Sequence, residues 1–227
     1  MSFAQKFFRN EIKSRARDIY ERKKSEDVES RRLYKNSMFS RSIERIHTDG
    51  CVVLHDRTEL LRNIRSGGVA AEIGVAFGDY TAEIVSINEP SRLHLVDAWD
   101  SERYRAGLHS IKDKFASEID AGSVVIDQGY STDVLEKFPD GYFDWVYIDT
   151  DHSYETTYKE LILSSRKVKR GGQIAGHDFC TGNVVKPVPY GVIEACNRFC
   201  VEERWRYQYL AMASDGHMSF SLISLNA

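Results

Sequence analysis

Cysteine is scarce in this chain. The four present, Cys51, Cys180, Cys196 and Cys200, form no Cys-x-x-Cys pair. The spacing therefore offers neither a paired-ligand zinc motif nor a thioredoxin-like redox motif. Buried free thiols in a reducing compartment are the reading it favours, and a cytoplasmic protein is expected. Cys196 and Cys200 stand four apart on a predicted helix and share a face. No apolar run approaches the ~18 residues that a membrane span needs. The opening Met1-Ser-Phe-Ala-Gln-Lys6 lacks the apolar stretch of a signal peptide. No internal repeat or low-complexity stretch stands out. The 227 residues, 42% of them hydrophobic and with a net charge of -3, suffice for one domain with a sizeable core plus an extension.

Two nucleotide-binding signatures are also missing. From Gly74, the dinucleotide fingerprint would need glycine at its first, third and sixth positions, where this chain has Gly74, Ala76 and Asp79. The second glycine of that fingerprint lets backbone approach a pyrophosphate, so Ala76 argues that no pyrophosphate sits there. No Gly-Lys-Ser/Thr follows, which removes a Walker loop. What is present is Glu72-Ile-Gly-Val-Ala-Phe-Gly78, a strand turning tightly into a helix, and then Asp97 at the end of the next apolar run. Glycines that admit a ligand to the backbone, with a carboxylate for ribose hydroxyls, make a pocket for an adenosine-bearing cofactor without a pyrophosphate. A tight turn with no ligand is the plain alternative.

Residues 1–46 differ from the rest. Phe3, Phe7, Phe8, Ile12, Ala16 and Ile19 recur at helical spacing, and Lys and Arg number 13 against 7 Asp and Glu. Because the bases are interleaved with acids, a solvated helix that caps the core or meets a second subunit is favoured over a nucleic-acid or membrane contact. From Val69 the chain alternates. Strands are expected at Val69–Ile73, Leu93–Val96, Val124–Ile126 and Phe143–Ile148, with a fifth opening at Gln173–Ala175. Helices are expected over Asp56–Ile64, Asp79–Ile87, most of Ser101–Ile119, Thr132–Phe138 and Tyr154–Val168, the last stopped by Gly171-Gly172. Tyr207–Met212 and Met218–Leu225 flank Asp215-Gly216, a hairpin signal. The pattern predicts an α/β fold: a Rossmann-like, mostly parallel mixed sheet with helices on both faces, a terminal antiparallel hairpin strand and an N-terminal helical extension. Residues 1–55 are read as the extension and 56–227 as the main domain. Ligands in such sheets sit beyond the carboxyl ends of the strands, at the switch point.

Two further segments carry chemistry. In Asp144-Trp-Val-Tyr-Ile-Asp-Thr-Asp-His-Ser-Tyr154 a buried strand emerges into Asp149, Asp151 and His152. In Gly171-Gly-Gln-Ile-Ala-Gly-His-Asp-Phe179 the next emerges into His177 and Asp178. Neighbouring strands lie about 4.8 Å apart, so Asp149 and Asp178 would face each other. Two carboxylates so placed repel unless one is protonated or a cation lies between them. Magnesium, held by such carboxylates with water and substrate oxygens, would satisfy both and lower the pKa of a bound hydroxyl. Asp149 capping a helix or orienting the cofactor's ammonium remains open. An unperturbed histidine suits base work at neutral pH. His94, inside a strand, reads as structural.

The Glu-x-Gly-x-x-x-Gly turn followed by Asp97 resembles the first two motifs of class I S-adenosylmethionine-dependent methyltransferases. The likeness runs from about Gly68 to the C-terminus, and the terminal hairpin is similar to that fold. The resemblance implies that Glu72, Gly74, Ala76, Phe77 and Gly78 border the cofactor's amino-acid end. Asp97 would bind the ribose, with Ala98 and Trp99 beside it, and Tyr130 and Ser131 would lie near the adenine. Asp149 is expected to touch the cofactor as well. The Ile-Asp-x-Asp-His-x-Tyr and Gly-Gly-x-Ile-x-x-His-Asp pair is close to the macrocin-type sugar and small-molecule O-methyltransferases. That likeness implies Asp149 and Asp178 as ligands of Mg2+ or Mn2+, and His152 or Asp151 as base. His177 stands where the subgroup often has a second acid. Imidazole is a poor magnesium ligand, so His177 is left as ligand, support for the ligands, or loop anchor.

The activity implied is methyl transfer to a hydroxyl of a small molecule, a sugar or glycosylated metabolite. A homodimer is a reasonable expectation. The Asn/Asp-Pro-Pro-Tyr/Phe turn of nucleic-acid N-methylation is replaced here by Asp149-Thr-Asp-His152, which disfavours a nucleic-acid partner. The alternatives are a non-catalytic cofactor-binding or assembly protein, an N-methyltransferase and, last, a metal-dependent hydrolase. Thr181–Gly191, with two prolines and two glycines, is placed as a substrate lid would be.

Overall fold

The computed structural model describes residues 3–185 and 187–226, without the side chains of residues 3–12 and 14. The chain opens with helix α1 (Phe3–Ser37). The expected apolar face of Phe3, Phe7, Phe8 and Ile12 lies outside the described residues, while Ala16 and Ile19 are exposed. Ion pairs one turn apart, such as Arg22–Glu26 at 3.7 Å and Arg32–Glu29 at 2.7 Å, run along this helix. Strand β1 (Val52–Leu54) follows, then helix α2 (Arg57–Asn63), whose first turn is capped by Asp56 accepting from the Glu59 amide at 2.7 Å. The repeating unit then begins. It runs β2 (Val69–Ile73), α3 (Asp79–Glu83, continued by a wider turn through Asn88), β3 (Arg92–Asp97), α4 (Gly107–Lys114), α5 (Ala116–Asp120), β4 (Val124–Gln128), α6 (Ser131–Lys137), β5 (Phe143–Ile148), α7 (Tyr154–Lys167) and β6 (Val168–Gly176). The chain closes with a small ribbon, β7 (Gly182–Asn183) and β8 (Val188–Pro189), then α8 (Val192–Glu203), β9 (Trp205–Ala211) and β10 (Ser219–Ser224).

Eight strands form one sheet in the order β1-β9-β10-β6-β5-β2-β3-β4. Strands β2 to β6 are mutually parallel, and β10 is antiparallel to both β6 and β9. This is a Rossmann-like mixed sheet, with the terminal hairpin where the sequence places it. The sheet starts ahead of residue 56, because β1 pairs in parallel with β9 along its edge. Alternation along β5 divides the core. Val146 and Ile148 face α6, α7 and α8, whereas Trp145 and Tyr147 pack with Leu60, Leu61, Tyr80 and Ile111 on the other side. All four β5 side chains are buried, as a central strand of a parallel sheet requires.

Two features depart from the sequence reading. Helix α7 ends at Lys167, within one residue of the expected Val168, but β6 begins at once with Val168 opposite Phe143, well ahead of the expected Gln173. Lys167 ends the helix because its carbonyl accepts from the Tyr142 amide at 2.7 Å and its ammonium reaches Phe138 O and Asp140 at 2.7 Å each. The glycine pair sits inside the strand, where the register with β5 shifts between Phe143 and Trp145. Ser101–Ile119 is also more broken than expected: turns occupy 101–106, and Phe115 separates α4 from α5. Gly107 opens α4 against the glycine turn, since a Cβ there would lie 2.0 Å from Ala76 O.

Candidate active site

The order reverses at β2, which has β3 on one side and β5 on the other, so the crevice opens past Ile73 and Ile148. Gly74 leaves β2 with φ +89°, and a Cβ on it would stand 2.0 Å from Asp149 O. Only glycine lets the ends of β2 and β5 meet there. Ala76 follows at φ +52°, a left-handed conformation that costs a non-glycine residue free energy. Asp97 holds it. One carboxylate oxygen accepts from the Val75 and Ala76 amides at 2.9 and 3.0 Å, and the other accepts from the Trp99 amide at 2.8 Å. The Trp99 indole N–H donates to Ala76 O at 2.8 Å.

Glu72 is buried beneath this turn and accepts from the Thr81 hydroxyl at 2.5 Å. Burial pushes its carboxyl up to about 8, opposed by that hydrogen bond. Trp99 is packed as a core residue, only 3% exposed. Phe77 is partly exposed, and its carbonyl accepts from Lys114 at 2.9 Å. Ala98 O accepts from Gln128 at 3.2 Å, linking the exits of β3 and β4. Tyr130 is exposed and hydrogen-bonds Asp100 across the same opening, and Ser131 begins α6.

Beyond β5 and β6 lies a cluster of carboxylates and imidazoles. Asp149 is bound at the end of β5 by its amide to Ile73 O at 2.7 Å. His152 (φ +61°) and Asp178 (φ +54°) both adopt left-handed backbone, which turns their side chains towards each other. His152 Nε2 lies 3.0 Å from Asp178 Oδ2, and His177 Nδ1 lies 3.6 Å from the same oxygen and 3.8 Å from Asp149 Oδ2. His217 Nδ1 hydrogen-bonds the other Asp178 oxygen. The Tyr190 ring covers His152 with centroids 4.7 Å apart.

Charge follows from this packing. Burial raises the Asp149 carboxyl against the pull of His177 and His152. Burial would also raise Asp178, but hydrogen bonds from His152 and His177, with His217 behind them, hold it well below the usual carboxylate range. Burial disfavours a charged His152, yet the hydrogen bond to Asp178 and the nearby Asp149 and Asp151 charges outweigh it and raise its pKa.

Asp151 is not drawn into this cluster. It lies just ahead of α7, accepting from the Ser153 amide and the Thr156 hydroxyl at 2.9 Å each, and it is solvent-exposed. His94 is structural as expected, bonded to Asp127 at 2.7 Å and Tyr142 at 3.2 Å. Three residues escaped the sequence reading. Arg57, half-buried with its guanidinium 4.3 Å from the Tyr80 ring centroid, supplies positive charge felt at Asp149 and Glu72. Glu160 is fully buried and accepts from Thr150 at 2.9 Å. His217 sits at the hairpin tip; because β10 runs antiparallel to β6 with Phe220 opposite Gly176, the tip must lie beside residues 178–180. That register was the available signal.

Asp149, His152 and Asp178 each place one ligand atom within 4.8 Å of the others. Two carboxylates and an imidazole fit a divalent ion that accepts both oxygen and nitrogen, such as manganese, better than magnesium, which favours oxygen alone.

Residues 71–179 match a family model described as a methyltransferase domain. No curated protein sequence matches the chain. Solved structures extend the likeness over most of it. A SAM-dependent methyltransferase from Aquifex aeolicus superposes with a TM-score of 0.55 at 14% identity, covering 84% of this chain and 96% of that one. An O-methyltransferase family protein from Burkholderia thailandensis gives 0.54 at 9% identity over 74% of this chain and 55% of its own. Spermidine synthase from Thermotoga maritima gives 0.51 at 16% identity, covering 74% and 60%. At such identities these likenesses establish the fold, and the reaction has to be argued from the site.

Proposed function

We propose that the protein is an S-adenosylmethionine-dependent O-methyltransferase acting on a hydroxyl of a small molecule, of the sugar or glycosylated-metabolite class that the macrocin-type likeness suggests. The observation that carries this reading is His152, held by Asp178 at the exit of β5, beside the point where Gly74 meets Asp149. The glycine turn, Glu72 and Asp97 form the cofactor side, and Arg57 offers a counter-charge for the cofactor's carboxylate. His152, Asp149 and Tyr190 form the acceptor side. Tyr190 and Gly191, at the end of the loop expected to act as a lid, close against it, the Gly191 amide donating to His152 O at 2.9 Å.

The hydrogen bond to Asp178 fixes the neutral His152 tautomer with its proton on Nε2, leaving the Nδ1 lone pair for the acceptor hydroxyl. The hydroxyl proton passes to Nδ1, and Asp178 stabilises the imidazolium that results. The oxygen then attacks the sulfonium methyl in line. The O–CH3 bond forms, the S–CH3 bond breaks, and sulfur keeps the electron pair as S-adenosylhomocysteine. A divalent ion at Asp149 and Asp178 would make His152 a ligand in place of a base, and it would itself supply the acidification of a bound hydroxyl.

Asp149→Asn and His152→Ala are expected to bind S-adenosylhomocysteine as the parent does and to lose roughly 10²–10⁴-fold in turnover. Full activity in both variants would remove this assignment. A homodimer through α1, whose described side chains between 13 and 30 are exposed, is the working form that this reading favours.

A further inference from the structure

Next to the catalytic face of Asp178 lies a second group of metal-ligating atoms that methyl transfer does not use. We propose that Asp178, Cys180 and His217 bind a zinc-class divalent transition metal, which pins the exit of β6 to the tip of the β9–β10 hairpin. The proposal requires nothing of the methyl acceptor.

Geometry is the first ground. One ligand atom from each of the three residues lies within 4.8 Å of the other two. Cys180 Sγ stands 3.8 Å from His217 Nδ1. A tetrahedral zinc ion, with Zn–S near 2.3 Å and Zn–N near 2.0–2.1 Å, sets sulfur and nitrogen about 3.6 Å apart. Valence is the second. His217 Nδ1 faces both Asp178 Oδ1 and Cys180 Sγ, yet a neutral ring nitrogen has one proton or one lone pair. An ion in place of the shared proton is served by all three groups, the carboxylate moving outward to ligand distance.

Preorganisation is the third. The Phe179 amide donates to Met218 O at 2.9 Å, so the backbone itself holds residues 178–180 against 217–218. The His217 amide donates to Asp215 Oδ1 at 3.0 Å, which fixes the hairpin tip. The left-handed backbone at Asp178 lets residues 178 and 180 present their side chains to one point. Donor chemistry selects the ion. Thiolate with imidazole suits zinc and cobalt and is foreign to magnesium and calcium. Three protein ligands leave a fourth position for water.

Cobalt replaces zinc in such sites and reports a thiolate ligand through a sulfur-to-cobalt charge-transfer band. The full-length protein, stripped of metal, is titrated with Co2+ and then with Zn2+ in competition. The expected result is a thiolate band that Zn2+ displaces. It should be lost or need at least tenfold more cobalt in Cys180→Ala and in His217→Gln, and be unchanged in Cys51→Ser. Absence of the band in the parent protein, or its persistence in Cys180→Ala, overturns the proposal. Should the variants not fold, the parent alone decides: Zn2+ must protect Cys180 from alkylation more than Cys51, and equal labelling of both overturns it. S-adenosylhomocysteine binding in the same samples separates the two ideas, since intact cofactor binding without a cobalt–thiolate band sinks the metal site alone.

Discussion

Asp178 decides the character of the site, because three imidazoles surround it: His152 and His217 within hydrogen-bond distance and His177 at 3.6 Å. Its hydrogen bond raises the His152 pKa above the ordinary 6.5 despite burial. Two consequences follow in opposite directions of pH. A raised folded-state pKa stabilises the protein below the unfolded value, and that stability is lost as pH rises through the folded value. Catalysis needs the neutral ring, so methyl transfer should fall away as pH drops through a value above 6.5. In Asp178→Asn that acid limb should move to lower pH, and an unmoved limb would show that the pair does not govern the base. At this scale the sequence was informative wherever chemistry lay in a contiguous motif: Gly74, Asp97, Asp149, His152 and Asp178 all lie at strand exits beside one crevice. It was silent on His217, more than thirty residues from its partner, because only strand register joins them. It also left Asp151 and His152 as rival bases, a choice on which the bonds of Asp151 to the Ser153 amide and the Thr156 hydroxyl now bear.

Helix α7 shows how an element can serve both core and site. Its inner face buries Leu161 and Leu163, and also Glu160, whose carboxylate reaches Thr150 in the loop that presents His152. Burial pushes the Glu160 carboxyl up to about 7, partly offset by hydrogen bonds from Ser131 and Thr150. A buried acid that keeps its proton to a higher pH than the unfolded chain does makes stability fall as pH rises from about 4.5 to about 7. At one unit per 1.36 kcal/mol, that cost approaches about 3 kcal/mol above neutrality. Glu160→Gln should therefore melt higher than the parent protein at pH 8 and match it near pH 4. An equal difference at both values, followed by calorimetry, would mean that Glu160 does not titrate in the fold. The apolar spacing of α7 revealed the helix and its end to within one residue, but not the cause of the stop, which is tertiary bonding of Lys167 to 138–142 and not the glycines that follow.

For the whole molecule, the alternation of strands and helices and the Asp215-Gly216 hairpin were enough to give the sheet its class. The edge strand Val52–Leu54 was not legible, being three residues long and dependent on β9 for its hydrogen bonds. Helix α1 stands apart from this body. Its described side chains between 13 and 30 are exposed, and contact begins near Tyr34, Lys35 and Met38. Removal of residues 1–30 should change cofactor affinity by less than about twofold, since the described side chains there lie away from the crevice. Sedimentation of the two forms should show a dimer reduced to a monomer; an unchanged mass would leave α1 outside any self-association. The central claim concerns the crevice at the ends of β2, β3 and β5, and calorimetry with the full-length protein addresses it most directly. S-adenosylhomocysteine should bind one molecule per chain while NAD gives no heat of binding; binding of NAD with none of S-adenosylhomocysteine would contradict the account.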